Sequence, residues 1–310
     1  MRGVKYILLL CILTFFTGGT AFPAGEVSET GSTGMSFLRI APTARIASLG
    51  GGSSALYTGA AAVWANPSLI ALQTVRSVQF THIEWIEGIR QESAVFSTSE
   101  KFGNLGFAVQ LFDSGDIELR GSYPSRAPLG TYSIKNAAFS LCYAGLITEN
   151  IALGLTYKKL FEKISMETAG GDAVDLGMTV KTPFNGLSLA ATARNYGRMD
   201  KLRNDRTKLP SDISVGCLYS GMMPGFEQSF LIVGDLVVPQ YGDPGLRFGL
   251  EIEPLNHFVL RGGYRTDSDI QTMSFGVGLG LESITADVAY TPMKEGFDDS
   301  LCFTLSLTGF

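Results

Sequence analysis

The chain has 310 residues and a formal net charge of −5, so its length fits one large all-β domain or two ordinary domains, and its charge argues against nucleic-acid binding. Charged residues make up 17% of the chain, below the roughly 25% of typical soluble proteins. The cysteines beyond the N-terminal region, Cys142, Cys217 and Cys302, have neither disulfide nor zinc-site spacing, so no metal or cofactor is expected.

The N-terminal region has the pattern of a secretory signal peptide. Arg2 and Lys5 precede an apolar run over residues 6–16, and small residues follow it. A positive start, an apolar centre and small residues at the cleavage site are typical of an exported protein. The alternative, an uncleaved membrane anchor, would need a longer apolar run to span a bilayer. We predict that residues 1–21 are removed, with Ala24 as the second choice for the last residue removed.

Residues 22–74 differ from the rest of the chain because they are apolar and rich in small residues. Three consecutive glycines, Gly50 to Gly52, permit positive φ angles and close packing. An alanine run from Ala60 favours one or two helical turns, which should stop at Asn66-Pro67 because a residue before proline disfavours helix. The segment is too short to be a domain of its own.

From residue 75 onward, large apolar residues alternate with polar or small ones, and turn residues separate the runs. Such alternation places one set of side chains on each face of a β-strand. In residues 272–281 every second residue is large and apolar, and the others are glycine, serine or threonine. We count fourteen runs, an even number as a single-chain outer-membrane barrel requires. Their centres lie near residues 80, 93, 108, 138, 155, 177, 190, 215, 232, 249, 261, 275, 287 and 304.

The links between the runs alternate in length, as in outer-membrane barrels with short periplasmic turns and longer external loops. This alternation predicts an all-β, transmembrane, antiparallel up-and-down barrel over residues 75–310 in the outer membrane of a diderm bacterium, with both termini periplasmic. The short links are 101–104, 148–150, 183–186, 223–225, 254–256 and 282–283. The longer links are 113–130, 163–171, 195–209, 239–244 and 292–299.

The segment before the barrel carries a sequence pattern: FLRI at 37–40, ARIASLGGG at 44–52 and AVWANPSLIA at 62–71. This pattern resembles the N-terminal signature of PorV/PorQ-type outer-membrane proteins, which are similar to FadL-type long-chain fatty-acid transporters. The resemblance implies a fourteen-stranded barrel with an N-terminal hatch in its lumen, although Ala65 interrupts the family's Trp-Asn-Pro order. We therefore assign residues 22–74 as a luminal plug. Its candidate functional residues are Arg45, Gly50, Gly51, Trp64, Asn66 and Pro67.

Many charged side chains fall on the strand face that alternation assigns to the lumen. One interpretation is a hydrated lumen whose charges pair across strands and hold the plug. The other is a polar conduit or a carboxylate site, since a guanidinium donates two parallel hydrogen bonds to a carboxylate. The candidate ligand contacts are Arg194, Arg247, Arg261 and Arg265. The other inward charges are Lys158, Asp175, Lys181, Asp235, Glu251 and Asp287.

No catalytic site is expected, because His82 and His257 lie far apart and no nucleophile–base pair is visible. The resemblance implies a transporter or channel for hydrophobic or small solutes, surrounded by outer-membrane lipid and carrying a fatty acid or similar ligand. The alternative is an accessory or shuttle protein of a type IX-like secretion system that binds exported proteins. A purely structural outer-membrane protein is a third hypothesis.

The chain ends in an aromatic residue, Phe310, which is the expected insertion signal of a barrel. The apolar residues of the last run, such as Leu305 and Leu307, are odd-numbered, so Phe310 is out of phase with them. A bulge at Thr308-Gly309 would return it to the lipid-facing side. Without a bulge, Phe310 would point inward or lie beyond the strand.

Overall fold

The structure, a computed structural model, describes residues 32–123, 126–223 and 228–310. The predicted signal peptide and residues 22–31 of the predicted plug lie outside the described residues. Among the described residues, no helix is both long enough and apolar enough to cross a membrane.

Fourteen antiparallel strands close into one barrel. The first strand pairs with the last in an unbroken register from Ser77↔Thr308 to Glu84↔Leu301. All fourteen predicted centres lie within these strands, so the predicted count and fold class are confirmed. The strands are β1 (Ser77–Glu84), β2 (Arg90–Ser97), β3 (Asn104–Asp113), β4 (Ile134–Thr148), β5 (Ile151–Ile164), β6 (Glu167–Lys181), β7 (Leu187–Met199), β8 (Asp212–Met222), β9 (Ser229–Pro239), β10 (Gly245–Leu255), β11 (Phe258–Arg265), β12 (Met273–Leu281), β13 (Ile284–Thr291) and β14 (Ser300–Thr308).

The two ends of the barrel differ in the links that they carry. At the end where β1 begins and β14 stops, the links are short. The opposite end, which we call the long-loop end, carries the links 114–133 and 200–211. The predicted long link at 163–171 is wrong, because pairing continues to Ile164↔Glu167 and a positive φ at Ser165 closes a tight turn. Small hairpins in the long links pair Ile117–Leu119 with Gly130–Tyr132 and Lys201–Leu202 with Asp205–Arg206.

The outer face of the barrel is an apolar belt, whereas the inward positions are buried and mostly small or polar. This arrangement is the reverse of a soluble protein and suits a wall that contacts lipid. The belt includes Phe80, Phe107, Leu155, Leu176, Val215, Ile232, Leu250, Val277 and Leu305. Exposed tyrosines flank it, with Tyr264 and Tyr290 towards the long-loop end and Tyr143 and Tyr219 towards the other end, whereas Tyr157 lies at the middle of β5.

Phe310 lies on the outer face of the barrel, beyond the end of β14. Gly309 has a φ of +75°, and its N–H donates to Arg76 O at 2.9 Å. The Phe310 ring then contacts the outward Phe96 of β2, with 6.5 Å between ring centroids. A left-handed glycine after the strand, rather than a bulge within it, therefore returns the terminal ring to the apolar side.

Residues 33–74, which we call the luminal segment, run through the interior of the barrel. Gly34 N donates to Lys208 O at 3.1 Å at the long-loop end, and the segment leaves at the other end, where β1 begins. The mature N-terminus lies outside the described residues, so its periplasmic position stays a prediction. The segment contains 3-10 helices at Ser36–Arg39, Gly59–Ala61 and Pro67–Leu72 and α-helices α1 (Ala44–Ser48) and α2 (Ala62–Ala65); a further 3-10 helix, Ile86–Gly88, links β1 to β2.

Candidate functional site

The first anchor of the luminal segment is an ion-pair chain that begins at Arg45 in α1. Arg45 donates from Nε and Nη2 to the two oxygens of Glu251 on β10, both at 2.8 Å. Glu251 also accepts from Arg261 Nε on β11 at 2.6 Å, and Arg261 Nη1 donates to Asp287 on β13 at 2.7 Å. Bidentate arginine–carboxylate pairs are the strong form of this interaction. These linked ion pairs therefore connect α1 to three strands, β10, β11 and β13.

The second anchor is Asp235 on β9. Its Oδ2 accepts from Ser53 N at 2.8 Å, from Ser54 N at 2.9 Å and from Ser54 Oγ at 2.9 Å. A buried carboxylate needs such donors, because an unpaired buried charge costs a large desolvation free energy. The backbone of the luminal segment and the Ser54 hydroxyl thus satisfy Oδ2, whereas Oδ1 has no hydrogen-bond partner among the described residues. We use the name polar anchor for both sets of contacts together: the ion pairs that begin at Arg45 and the hydrogen bonds to Asp235.

Glycines allow the backbone between the two anchors to lie directly on the wall. Gly50 and Gly51 have φ angles of +69° and +81°, in the left-handed region that favours glycine. Gly50 N donates to Ser274 Oγ at 3.1 Å, and Gly51 O accepts from Arg247 Nη1 at 3.3 Å. On the wall, a Cβ atom at Gly263 would clash with Gly50 N. The glycine triplet is therefore matched by glycine on the strand that it contacts.

Asn66 is fully buried and organises the second half of the segment. Its Oδ1 accepts from Ser68 N at 3.0 Å and caps the 3-10 helix Pro67–Leu72, while its Nδ2 donates to Ser54 O at 2.7 Å. Gly177 on β6 provides the space, because a Cβ atom there would clash with Asn66 Oδ1. The Asn-Pro element thus joins both halves of the segment and touches the wall.

Apolar packing holds the second half of the luminal segment. Trp64 is buried, and its Nε1 has no hydrogen-bond partner among the described residues, so it contributes packing alone. Gly154 on β5 leaves room for Pro67, whose carbonyl carbon a Cβ atom there would meet. We call the packing of the second half of the luminal segment against the wall the apolar anchor. It consists of Ala60, Ala61, Ala62, Val63, Trp64, Leu69 and Ile70 against Val95, Ala108, Cys142 and Ala144 of β2 to β4.

At the long-loop end lies an open cavity of about 580 Å³, which we call the vestibule. Its floor carries Arg39, Arg247 and Arg265, and aromatic side chains line its walls. A cavity of only about 20 Å³ adjoins the floor, which is enough for about one water molecule. The aromatic lining consists of Trp85, Phe112 and Tyr241.

Two carboxylates pair with the arginines around the vestibule floor. Asp267, in the link after β11, accepts from Arg247 Nη2 at 2.7 Å and from Arg265 Nε at 2.6 Å. Asp212, at the start of β8, accepts from Arg194 Nη2 at 2.9 Å. Burial alone would raise the pKa of Asp267, but the two arginines outweigh it and hold that pKa well below its usual range. Asp267 is therefore ionised at neutral pH.

Arg39 is a vestibule arginine that the sequence alone does not single out. Its Nη2 is buried without a hydrogen-bond partner among the described residues. Burial lowers the pKa of Arg39, Asp212 opposes that shift, and Arg247 and Arg194 add to it. The only sequence signal was its place in the FLRI motif, which does not distinguish a structural arginine from one that faces a cavity.

The structure divides the four predicted luminal arginines into two groups. Arg194, Arg247 and Arg265 lie around the vestibule and the small cavity beside it. Arg261 lies apart, between Glu251 and Asp287. The predicted plug residues all lie in the luminal segment and contact the wall. Across the described ranges, no group of three or more His, Cys, Asp or Glu side chains is placed to hold a metal ion.

No protein-family model and no curated protein matches this sequence. Solved structures with the same fold do exist. The toluene transporter TbuX of Ralstonia pickettii matches with a TM-score of 0.58 and 12% identity over 87% of this chain and 98% of its own. The toluene transporter TodX of Pseudomonas putida matches with a TM-score of 0.56 and 12% identity over 85% and 96%.

A FadL homologue of Pseudomonas aeruginosa has a TM-score of 0.57 and 11% identity, over 86% of this chain and 98% of its own. At such low identity the likeness shows a common fold and nothing finer. The chain therefore has the same barrel fold as these three proteins.

Proposed function

We propose that this protein is an outer-membrane transporter of FadL-like, PorV/PorQ type, which moves hydrophobic or small solutes across the outer membrane of a diderm bacterium. The observation that carries the proposal is a barrel with an apolar outer belt whose interior holds its own N-terminal segment. Outer-membrane barrels present such a belt to lipid. The named activity of TbuX and TodX, toluene transport, supports a hydrophobic solute.

In this proposal, a solute enters the vestibule from outside and passes only when the luminal segment shifts. The cavity beneath the vestibule floor has room for about one water molecule, so a larger solute needs that movement. A hydrophobic solute would exchange contacts with the aromatic walls for contacts along the apolar anchor. The polar anchor would keep the segment attached to the barrel while the other half moves.

A disulfide between the luminal segment and the wall tests the proposal. Ser68 Oγ and Thr179 Oγ1 are 2.7 Å apart, so Ser68→Cys with Thr179→Cys places two thiols together. The exposed Cys217 is replaced by serine to avoid a competing thiol. Uptake of radiolabelled toluene and oleate is measured in cells with an intact outer membrane, and arabinose permeation is measured by proteoliposome swelling.

We expect the oxidised variant to lose most of its uptake and a reductant to restore it. The control is Cys217→Ser alone, which should be indifferent to the reductant. Equal uptake by the oxidised and reduced variants would show that transport does not require movement of the luminal segment. No uptake of any of the three solutes by the wild-type protein would remove transport itself.

The secretion-accessory hypothesis has one observation in its favour. The long link after β3 exposes large apolar side chains at Leu119, Tyr123 and Leu129, and exposed apolar residues often mark partner-binding surfaces. A pull-down from native outer membranes tests this hypothesis. Recovery of a secreted protein by the wild type, and its loss in Leu119→Ser/Leu129→Ser, would favour the accessory role. Recovery of no partner by the wild type would count against it.

A further inference from the structure

Four polar side chains interrupt the apolar belt on the outer face of β1 and β2. On β12, outward apolar side chains run from Leu281, at the end of the barrel with the short links, to Met273 at the long-loop end. On β1 and β2, the outward side chains are apolar only in the half nearest the short links. The other half carries what we call the polar notch: His82 and Glu84 on β1 and Arg90 and Glu92 on β2.

The polar notch begins at the depth of the belt rather than above it. β1 starts at Ser77, so His82 is its sixth residue, about 13 Å along the barrel axis for a strand tilted by about 40°. An apolar band about 25 Å tall would have its middle near this level. The His82 ring lies beside the outward Phe303 of β14, with 6.5 Å between the ring centroids. Charges on a lipid-facing surface are destabilising, so these side chains need a polar partner that lipid tails do not offer.

Contacts within one copy of the chain satisfy only part of the polar notch. His82 Nδ1 lies 2.5 Å from Glu92 Oε1, and His82 Nε2 lies 3.7 Å from Glu84 Oε1. Arg90 is exposed, and its guanidinium has no ion-pair partner in the described part of the chain. The register places Arg90 beside Glu84 without joining the two side chains. Both groups are therefore available to a partner outside the chain.

The pairing of β1 with β2 makes this face complementary to itself. Successive outward rows set opposites side by side: Glu84 beside Arg90, His82 beside Glu92 and Phe80 beside Ala94. A two-fold axis along the membrane normal, passing between these strands, would place β1 of one copy opposite β2 of another. Each acidic side chain would then face a basic one, and each phenylalanine would face an alanine. A two-fold interface requires this kind of self-complementarity.

The shape of the outer face fits the same arrangement. Phe80 is exposed and projects from β1. A groove of about 520 Å³ crosses this part of the wall, and Ala94, Val109 and Leu111 line its side towards β2 and β3. The two-fold axis directs the Phe80 ring of one copy towards Ala94 of the other, where the small side chain leaves room. Apolar packing would thus continue beside the paired charges.

We infer that this protein forms a two-fold dimer in the membrane, in which Arg90 of each copy pairs with Glu84 of the other and Phe80 packs against Ala94. The inference rests on the proposed function only in placing the barrel in a membrane. The luminal segment of each copy is held by its own barrel. Dimerisation and transport can therefore be tested separately.

The test measures self-association of the full chain. Two forms with different affinity tags are co-expressed, extracted in a mild detergent and purified through one tag, and the recovered fraction of the other tag is measured. Light scattering gives the protein mass of the purified complex. We expect the wild type to recover the second tag and to have the mass of two copies.

Charge reversal at the polar notch shows whether this face is responsible. Arg90→Glu should lower the recovered fraction about tenfold or more, because like charges facing each other disfavour association. Glu84→Arg should do the same. When the two variants are co-expressed with each other, recovery should return to within about twofold of the wild type, since two glutamates on one copy then face two arginines on the other. Unfolded protein could not give this rescue, so a loss of stability in either variant leaves the test intact.

Arg198→Glu is the matched control. Arg198 on β7 lies beside Asp172 in the register, as Arg90 lies beside Glu84, but on the far side of the barrel. This variant should self-associate as the wild type does. An equal loss of association in Arg198→Glu and Arg90→Glu would overturn the assignment of the interface to β1 and β2.

A wild-type protein with the mass of one copy, and no recovery of the second tag, would also overturn the inference. So would a mixture of Arg90→Glu with Glu84→Arg that stays apart, or recovery of a different protein in place of the second copy. Toluene uptake by a single-copy wild type would leave the proposed function standing and refute the dimer. A dimer that takes up none of the solutes would do the opposite.

Discussion

The two halves of the luminal segment are held to the barrel by different chemistry. The polar anchor joins residues 45–54 to β9, β10 and the strands beyond by ion pairs and hydrogen bonds. The apolar anchor joins residues 60–70 to β2, β3 and β4 mainly by packing of small and aromatic side chains. Parting the polar anchor leaves buried charges unpaired, whereas parting the apolar anchor leaves no unpaired charge. We therefore expect movement of the segment to begin in its apolar half.

The largest effect on this comparison should come from Trp64→Ala. Removing a buried aromatic side chain costs about 3–5 kcal/mol, because the apolar anchor would lose its largest residue. Thermal unfolding in detergent would measure the loss. Trp64→Phe is the control and should cost much less, because Nε1 makes no hydrogen bond among the described residues that phenylalanine would forfeit. Equal losses in the two variants would show that the indole N–H matters.

The polar anchor is tested by Glu251→Gln. This change removes the charge that Arg45 and Arg261 share, and breaking a buried ion pair in this way costs about 3 kcal/mol. Denaturant unfolding gives the size of the effect, and limited proteolysis shows whether the luminal segment is released. Glu118→Gln, in the exposed pair with Arg120, should cost less than about 0.5 kcal/mol. A loss for Glu251→Gln as small as that of this control would mean that the polar anchor does not hold the segment.

Contact between Asn66-Pro67 and the wall is tested by Gly154→Ala. A Cβ atom at Gly154 would meet the Pro67 backbone, and overpacking of this kind costs about 2 kcal/mol. It should also displace the apolar half and raise arabinose permeation. Gly145→Ala on β4 is the matched control, because nothing lies within 4 Å of its Cβ position. If both glycine variants unfold alike, strand propensity rather than contact with the segment is responsible.

The sequence alone predicted the barrel well because each strand leaves a local signal. Alternation of large apolar residues locates all fourteen strands, and it assigns inward charges such as Arg247 and Asp287 to the correct face. The link at 163–171 was overestimated because Gly170-Gly171 reads as a turn. In the structure these glycines lie within β6, paired with Phe161 and Leu160.

The contacts inside the lumen could not be predicted in the same way. Arg45 and Glu251 are 206 residues apart, and which luminal residue meets which strand depends on how the segment lies in the closed barrel. The alternation of apolar and polar residues, which locates the strands, carries no information about the position of the segment in the lumen. Arg39 was missed for the same reason, since Asp212 and Asp267 pair with other arginines and the Arg39 Nη2 has no hydrogen-bond partner among the described residues.

The smallest expected effect on stability is that of Asp267, which lines the vestibule, and this effect should depend on pH. Burial would raise the pKa of Asp267, but Arg247 and Arg265 lower it below its ordinary value of 3.8. A group whose pKa is depressed on folding contributes stability that is fully present above its unfolded pKa. That stability is lost as the pH falls through the folded pKa.

Asp267→Asn should therefore cost about 1.5 kcal/mol at pH 7 and the same at pH 5, and the difference from the wild type should shrink below about pH 4. Melting temperatures at pH 7, 5, 3 and 2 measure it, and Asp269→Asn on the exposed rim is the control. A difference that already changes between pH 7 and pH 5 would mean that another group titrates with the pair. Because the apolar anchor carries no charge, the cost of Trp64→Ala should stay constant over the same range, and this contrast separates the charged wall of the vestibule from the apolar anchor by pH alone.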